Sequence, residues 1–196
     1  EEITRTTVLG QQTWVEARKN DDFKSLAPVL EKIISLKQQQ AEAVGYEESP
    51  YDALLDDFEP GETTANVRQI LEELRRDLVP LVAAIAESPN RPDRSILTRD
   101  YPVEVQEQFG TTIAARIGFD FGRGRLDTTH HPFCTGLGPH DCRITTRYDS
   151  RFFPSAFFGI LHEAGHGLYE LGMRSEWHGL PPGSYTSLGI HESQSR

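Results

Sequence analysis

Residues 162–166, with the sequence His-Glu-Ala-Gly-His, carry two histidines four positions apart and a glutamate directly after the first. Positions i and i+4 of an α-helix lie on one face, so His162 and His166 can present imidazole nitrogens to a single metal ion. Glu163 lies about 100° further around the helix axis, where its carboxylate can hold a water molecule without binding the metal. This pattern is typical of a zinc peptidase centre, although it also arises by chance on ordinary helices.

A catalytic zinc ion needs a third protein ligand and an open position for water. The sequence after His166 offers these candidates: Glu170, Glu176, His178, His191 and Glu192. Glu170 lies one further turn along the same helix, which favours a supporting or surface carboxylate. Glu192 lies where a second helix can begin, pack antiparallel to the first and bring its carboxylate to the metal. We therefore expect Glu192 to be the third ligand, with His191 as a supporting neighbour.

Two features upstream of the histidines have both a chemical and a structural interpretation. Asp141 and Arg143 flank Cys142 on a predicted strand, so their side chains share one face. They either form an ion pair that stabilises a hairpin, or belong to a strand that pairs with an extended peptide. Cys134 and Cys142 have neither zinc-ribbon nor redox spacing, so we expect free thiols unless a hairpin brings them together.

The elements that must position these residues follow from periodicity. Apolar residues at helical spacing predict helices within residues 3–20, 21–45, 49–61, 63–88 and 101–119. Gly45 is placed to end the second helix, Thr63 or Thr64 to cap the fourth, and Pro80 to kink it. Short Thr-rich segments at 122–133 and 141–149, separated by a Gly/Pro-rich turn at 134–140, predict a small β-hairpin. Helix returns at 151–173, with Pro154 in its first turn, and a last helix begins near 186.

Composition limits the partners. The 196 residues carry a formal net charge of -10, which argues against nucleic acid and anionic membranes because both would repel this surface. No apolar run is long enough to span a bilayer, and no secretory signal is evident, so we expect a cytoplasmic protein. We expect residues 1–196 to form one domain or a piece of a larger one, with a helical part at 1–90 and the hairpin and zinc helices at 91–196. The ends lack an initiator Met and a terminating signal, so we expect both to be cut.

Four short motifs, in order, carry a family resemblance. They are HPF at His131–Phe133, DCRIT at Asp141–Thr145, HEAGH at His162–His166 and HESQ at His191–Gln194. The chain thus resembles the Taq-type thermostable metallocarboxypeptidases, which are marked by HPF, DxRxT, HExxH and HESQ elements. The resemblance implies a mainly α, zincin-like fold with a small sheet beside the HExxH helix.

The same resemblance implies roles for individual residues. His162, His166 and Glu192 would bind zinc, or cobalt in some members, and Glu163 would be the general base. His131, Asp141, Arg143 and Thr145 would line the substrate cleft beside the metal. Members are soluble homodimers that remove single residues from peptide C-termini with broad specificity.

The resemblance leaves two other functions open. An endo-acting zinc oligopeptidase would use the same three ligands and base, and a non-catalytic, metal-stabilised interaction module would keep the metal alone. Family chains are much longer than this one. We therefore expect the 196 residues by themselves to be a poor or inactive carboxypeptidase, even with metal bound.

Overall fold

The computed structural model describes residues 1–196, which fall into two compact units, Glu1–Glu87 and Ser88–Arg196. The first unit is entirely helical: α1 (Glu2–Lys19), α2 (Phe23–Val44), α3 (Asp52–Leu55) and α4 (Thr64–Glu87). Helices α1 and α2 pack against each other. None of the helices in either unit is both long enough and apolar enough to cross a bilayer.

Local signals set the helix ends of the first unit. The Asp22 carboxylate accepts a hydrogen bond from the backbone N–H of Ser25, which caps α2 at its start. Gly45 ends the same helix with φ of 88°, a conformation that favours glycine. The Thr63 hydroxyl accepts from the backbone N–H of Asn66 at 3.2 Å and caps α4 as predicted. Helix α4 continues through Pro80 to Glu87 as one helix.

The second unit combines helices with a small sheet. Its elements are α5 (Val103–Arg116), β1 (Gly124–Thr128), β2 (Cys134–Gly138), β3 (Asp141–Thr146), α6 (Phe153–Gly172) and α7 (Leu188–Gln194). Three short 3₁₀ turns connect them at Ser95–Thr98, Ser175–Trp177 and Pro181–Gly183. The protein is therefore mainly α with one small sheet, and α6, which carries the two histidines, lies against that sheet, as the sequence predicts.

The sheet differs from the predicted two-stranded hairpin. Its strand order is β1-β3-β2, with β1 parallel and β2 antiparallel to the central β3. The hairpin is formed by β2 and β3, so the Gly-rich segment predicted as a turn is itself an edge strand. Glycine has low strand propensity, which hides β2 in the sequence, whereas pairing with β3 supplies its backbone hydrogen bonds. The segment between β1 and β3 provides the crossover that a parallel pair requires.

The core of the second unit lies between β3 and α6. Alternate residues of β3, Cys142, Ile144 and Thr146, are buried, and Ile144 contacts the same apolar cluster as Ile160 and Ala164 of α6. Ile144 and Ile160 are each 0% exposed, and full burial of such a side chain stabilises the fold by about 1.5–3 kcal/mol. This packing fixes one side of α6 against the sheet. His162 and His166 lie on another side of the same helix.

Candidate metal centre

Helix α6 places both histidines of the HExxH segment beside Glu192 of α7. The Nε2 atom of His166 lies 3.6 Å from Oε2 of Glu192, and Nε2 of His162 lies 4.0 Å from the same oxygen. One ligand atom from each of the three residues lies within 4.8 Å of the others. The structure therefore brings together the three residues that the sequence assigns to the metal.

This donor set fits a zinc-like ion. Two imidazole nitrogens and one carboxylate form a recurrent catalytic zinc set, and tetrahedral binding at about 2.1 Å separates neighbouring ligand atoms by about 3.4 Å. The observed 3.6 and 4.0 Å separations are slightly wider than that. The Glu192 side chain is 51% exposed and can rotate to close the difference. His162, His166 and Glu192 are therefore suited to hold a divalent ion.

A glycine of α6 admits the helix that carries Glu192. A Cβ atom at Gly165 would lie 2.3 Å from the Gln194 carbonyl oxygen and 2.6 Å from Cα of Ser195. Only glycine allows such a close backbone approach. At the start of α7 the Ser187 hydroxyl accepts a hydrogen bond from the Ile190 backbone N–H and caps the helix. Helix α7 is therefore capped at its start and packed on α6 at its end, with Glu192 beside the histidines.

Glu163 lines the same site from inside the protein. It is only 5% exposed, and burial, followed by the negative charge of Glu192, raises its pKa to about 7. A carboxylate with such a pKa can take up and release a proton near neutral pH, which is what a general base requires. Its position next to His162 and His166 is consistent with the role that the resemblance implies.

His166 is supported by a network outside the ligand set. Its Nδ1 atom lies 2.6 Å from Nδ1 of His191, and Nε2 of His191 lies 2.9 Å from Oε1 of Glu170. Burial, followed by the nearby His191, lowers the pKa of His166. The lowered pKa favours the neutral imidazole that a metal ligand must be. Glu170 therefore lies in a hydrogen-bonded network with His166 and His191 rather than on the open surface of the helix.

A cavity of about 890 Å³ adjoins the metal centre. His131 and the following Pro132 and Phe133 form part of its wall, so the structure places the HPF segment beside the metal site. The wall also includes residues of the 173–188 connection that sequence reasoning did not single out, among them Met173, Arg174, Leu180 and Tyr185. These residues lie in irregular structure, so no periodic pattern in the sequence indicates that they face the cavity.

The DxRxT segment lies outside this cavity wall. Asp141 and Arg143 form a two-bond ion pair on the sheet face opposite α6, with Nη2 of Arg143 at 2.8 Å from Oδ2 of Asp141. Arg143 lowers the pKa of Asp141. Thr145 is buried, and its hydroxyl accepts from the Phe133 backbone N–H at 2.9 Å. Thr145 therefore contacts the HPF segment rather than the cavity.

The two cysteines are free thiols whose sulfur atoms lie 3.5 Å apart. Cys134 lies on β2 and Cys142 on β3, so the β2–β3 hairpin brings them together. Neither is within the histidine and glutamate group that can hold a metal.

The sequence of the chain matches a family of known proteins. The model of the carboxypeptidase Taq (M32) metallopeptidases matches residues 1–196. Carboxypeptidase 1 of Bacillus subtilis (strain 168) is 42% identical over 186 residues, which are 95% of this chain and 37% of that protein. Thermostable carboxypeptidase 1 of Pyrococcus furiosus is 44% identical over 197 residues, covering 100% of this chain and 40% of its own length. The chain thus spans about two fifths of the curated relatives it matches.

Solved structures agree with the sequence comparison. The crystal structure of BsuCP superposes with a TM-score of 0.96 at 41% identity, covering 99% of this chain and 39% of that one. An M32 carboxypeptidase from Deinococcus radiodurans R1 superposes with a TM-score of 0.84 at 41% identity, covering 100% and 39%. Family model, relatives and fold all confirm the resemblance carried by the four motifs. The chain belongs to the carboxypeptidase Taq (M32) family of metallopeptidases.

Proposed function

We propose that this chain carries the catalytic metal centre of a carboxypeptidase that removes single residues from peptide C-termini with broad specificity. The observation that supports this most is the group of His162, His166 and Glu192 beside the buried Glu163, at the edge of a large cavity. The family and the names of the relatives, all carboxypeptidases, point to the same reaction.

In this proposal His162, His166 and Glu192 hold zinc, and cobalt can replace it. When bound, the ion supplies Lewis acidity, which polarises the scissile carbonyl and lowers the pKa of water. The donor set supports zinc because imidazole nitrogen with one carboxylate is the set of many zinc peptidases. Two neutral imidazoles and one carboxylate would leave a bound divalent ion with a net positive charge.

Glu163 performs the proton transfers. Its carboxylate takes a proton from the water molecule that attacks the scissile carbonyl carbon. It then delivers that proton to the amine nitrogen as the C–N bond breaks. Burial of Glu163 supports this role, because a carboxylate shielded from solvent has a pKa close to the pH at which it works.

The peptide binds in the cavity beside His131. Thr145 contributes to substrate binding in this proposal by holding the HPF segment through Phe133, whereas Asp141 and Arg143 lie outside the cavity wall and form an ion pair with each other. The partners are peptides and a second copy of the protein in a cytoplasmic homodimer. The net charge of -10 supports the exclusion of nucleic acid and anionic membranes.

The test compares peptides with a free and an amidated C-terminus. Turnover is measured in a family-length chimera, in which this chain replaces the matching 37% of the Bacillus subtilis relative. We expect zinc- or cobalt-dependent release of the last residue from the free peptide and none from the amidated one. Equal cleavage of both would indicate an endo-acting oligopeptidase, and metal binding without turnover would indicate an interaction module.

A further inference from the structure

We propose that Glu170 and His191 are positioning residues that fix the ring orientation and tautomer of His166. The inference rests on the proposed metal centre, since it concerns how one of its ligands is held. It assigns a role to the carboxylate one turn beyond the HExxH segment and to the histidine that precedes Glu192. Neither residue is in the proposed ligand set.

The direction of each ring follows from the contacts of its two nitrogens. Nε2 of His166 faces Glu192 at 3.6 Å and is the nitrogen directed at the metal position. Its other nitrogen, Nδ1, lies 2.6 Å from Nδ1 of His191. On the far side of the His191 ring, Nε2 lies 2.9 Å from Oε1 of Glu170. The three side chains therefore form a continuous network that ends at the metal position.

Proton positions in this network are determined by chemistry. A neutral imidazole carries one N–H, and a metal ligand must offer its other nitrogen as a lone pair. When Nε2 of His166 binds the metal, its proton is therefore on Nδ1, which donates to Nδ1 of His191. His191 then carries its own proton on Nε2, where it can donate to the Oε1 atom of Glu170. Every donor in the network has an acceptor in this arrangement.

The surroundings hold the network in place. The side chains of His166, His191 and Glu170 are 9%, 12% and 19% exposed. Two tyrosine rings meet His191 edge-on, with ring centroids 4.9 Å away for Tyr169 and 5.1 Å for Tyr185. An imidazole enclosed in this way has few alternative orientations, so its hydrogen bond to His166 is preorganised.

Strand β2 closes the other side of Glu170. A Cβ atom at Gly136 would lie 2.7 Å from Oε2 of Glu170, so the strand backbone approaches the carboxylate directly. Glu170 also lies four residues after His166 and therefore on the same helix face. Helix α6 thus carries both the ligand and the carboxylate that orients it, and α7 supplies the histidine between them.

Metal affinity is the first test. We compare Glu170→Ala, Glu170→Gln and the control Glu176→Ala, measuring Zn²⁺ and Co²⁺ affinity by competition with a chromophoric chelator. Loss of an outer partner typically weakens metal binding by about 10- to 100-fold, so we expect that loss for Glu170→Ala. Glu170→Gln should lose less, because its amide oxygen still accepts from His191. Glu176 is an exposed carboxylate outside the cavity wall, and its variant should bind as the wild type does.

Histidine tautomers give a second readout that a purely structural role would not predict. In the zinc-loaded wild type, ¹⁵N NMR should show His166 protonated at Nδ1 and His191 at Nε2. In Glu170→Gln, where the fold is kept, the His191 signals should move toward a mixture of tautomers.

Two results would overturn the proposal: wild-type affinity in a folded Glu170→Ala variant, or a zinc-loaded wild type with His191 protonated at Nδ1. The second result needs no substitution and decides the matter even if Glu170→Ala fails to fold. A wild type that binds no Zn²⁺ would contradict the proposed metal centre itself, and the inference with it. If the wild type binds Zn²⁺ and the Glu170 variants bind it with the same affinity, only the inference about Glu170 and His191 is contradicted.

Discussion

At the residue scale, the three proposed metal ligands and the proposed general base differ in their surroundings. Nitrogen atoms of His162 and His166 and an oxygen of Glu192 converge on one point, whereas Glu163 is buried next to them. Two glutamates in one small site thus have different environments. Glu192 is half exposed, and Glu163 is shielded, which raises its pKa to about 7. Substitution of each glutamate should therefore have a different effect.

Substitution of Glu192 should remove metal binding. In Glu192→Gln the charged oxygen is replaced by a neutral amide, which is a much weaker ligand for a hard or borderline cation. We expect affinity for Zn²⁺ to fall by more than the roughly 10- to 100-fold typical of losing an outer partner. Equilibrium dialysis with metal analysis measures it, with Glu176→Gln as control. Undiminished affinity would remove Glu192 from the site.

Substitution of Glu163 should leave metal binding and remove turnover. Glu163→Gln keeps the shape of the side chain but cannot accept a proton. General-base catalysis contributes about 10²- to 10⁴-fold, so we expect turnover by the family-length chimera to fall by at least that range. Metal content, measured on the same sample, should be unchanged. Activity like that of the wild type would show that another group is the base.

At the element scale, α6 uses three of its sides. One side packs on β3 through Ile160 and Ala164, a second presents the histidines, and Gly165 receives the end of α7. The metal centre therefore depends on how closely two helices approach. A Cβ atom at Gly165 would lie 2.3 Å from the Gln194 carbonyl oxygen. The backbones of α6 and α7 are therefore too close for any side chain at position 165.

A methyl group at position 165 should displace α7. In Gly165→Ala the new Cβ would contact backbone atoms of Gln194 and Ser195, so α7 must shift and carry Glu192 with it. We expect weaker Zn²⁺ binding. We also expect overpacking to lower the free energy of unfolding by about 1–3 kcal/mol, offset by about 1 kcal/mol because alanine has the better helix propensity.

Gly172→Ala is the matched control for this prediction. Gly172 ends the same helix, and nothing lies within 4 Å of the Cβ position there. Chemical unfolding and chelator competition measure stability and affinity for both variants. Equal affinity in the two variants would show that α7 can approach the metal centre by another path.

At the scale of the whole molecule, burial is uneven. The second unit contains the buried β3–α6 core, whereas α4 of the first unit has no buried residue along its length. Its apolar side chains recur at helical spacing and are exposed; they are Ile70, Leu71, Leu74, Leu78, Val79, Leu81, Val82 and Ile85. Most helical stability in proteins comes from packing such a face, so α4 lacks its main source of stability.

Hydrogen exchange should reveal this difference. We expect backbone amides in the middle of α4 to exchange on the order of 100-fold faster than those in the middle of α6, because local opening of α4 exposes little buried surface. Mass spectrometry of peptides from the two helices measures the rates in one sample. Equal protection of the amides in α4 and α6 would contradict this prediction and would mean that the apolar face of α4 is covered in solution. Sedimentation would then show whether a second copy of the chain covers it.

Turnover by the 196 residues alone should be poor. An exopeptidase holds the free carboxylate of its substrate with a fixed cation, most often arginine. Arg143 is paired with Asp141, and Arg174 on the cavity wall has a side chain that is 66% exposed and lies over Trp177. We expect at least about 100-fold slower release of C-terminal residues than by the family-length chimera, a loss of about 2.7 kcal/mol in transition-state stabilisation. Equal rates would contradict this.

Several features of this protein follow from sequence because their causes are local. The spacing of His162 and His166 places both on one helix face, and Gly45 ends α2 through its own backbone freedom. The four motifs in order predicted the family, which the comparisons confirm. The sequence also predicts Glu192 as the third ligand, and the structure places it beside the histidines. Spacing, capping and motif order can all be predicted from the sequence without knowledge of the packing.

Other features depend on contacts between residues far apart in the chain, and only the tertiary structure decided them. Strand β2 was hidden because its glycines have low strand propensity, and its pairing depends on β3. The network from Glu170 through His191 to His166 needs α7 to lie on Gly165, which spacing along the chain does not specify. The physical reason is that long-range packing sets distances between elements, whereas sequence periodicity sets only the faces that each element presents.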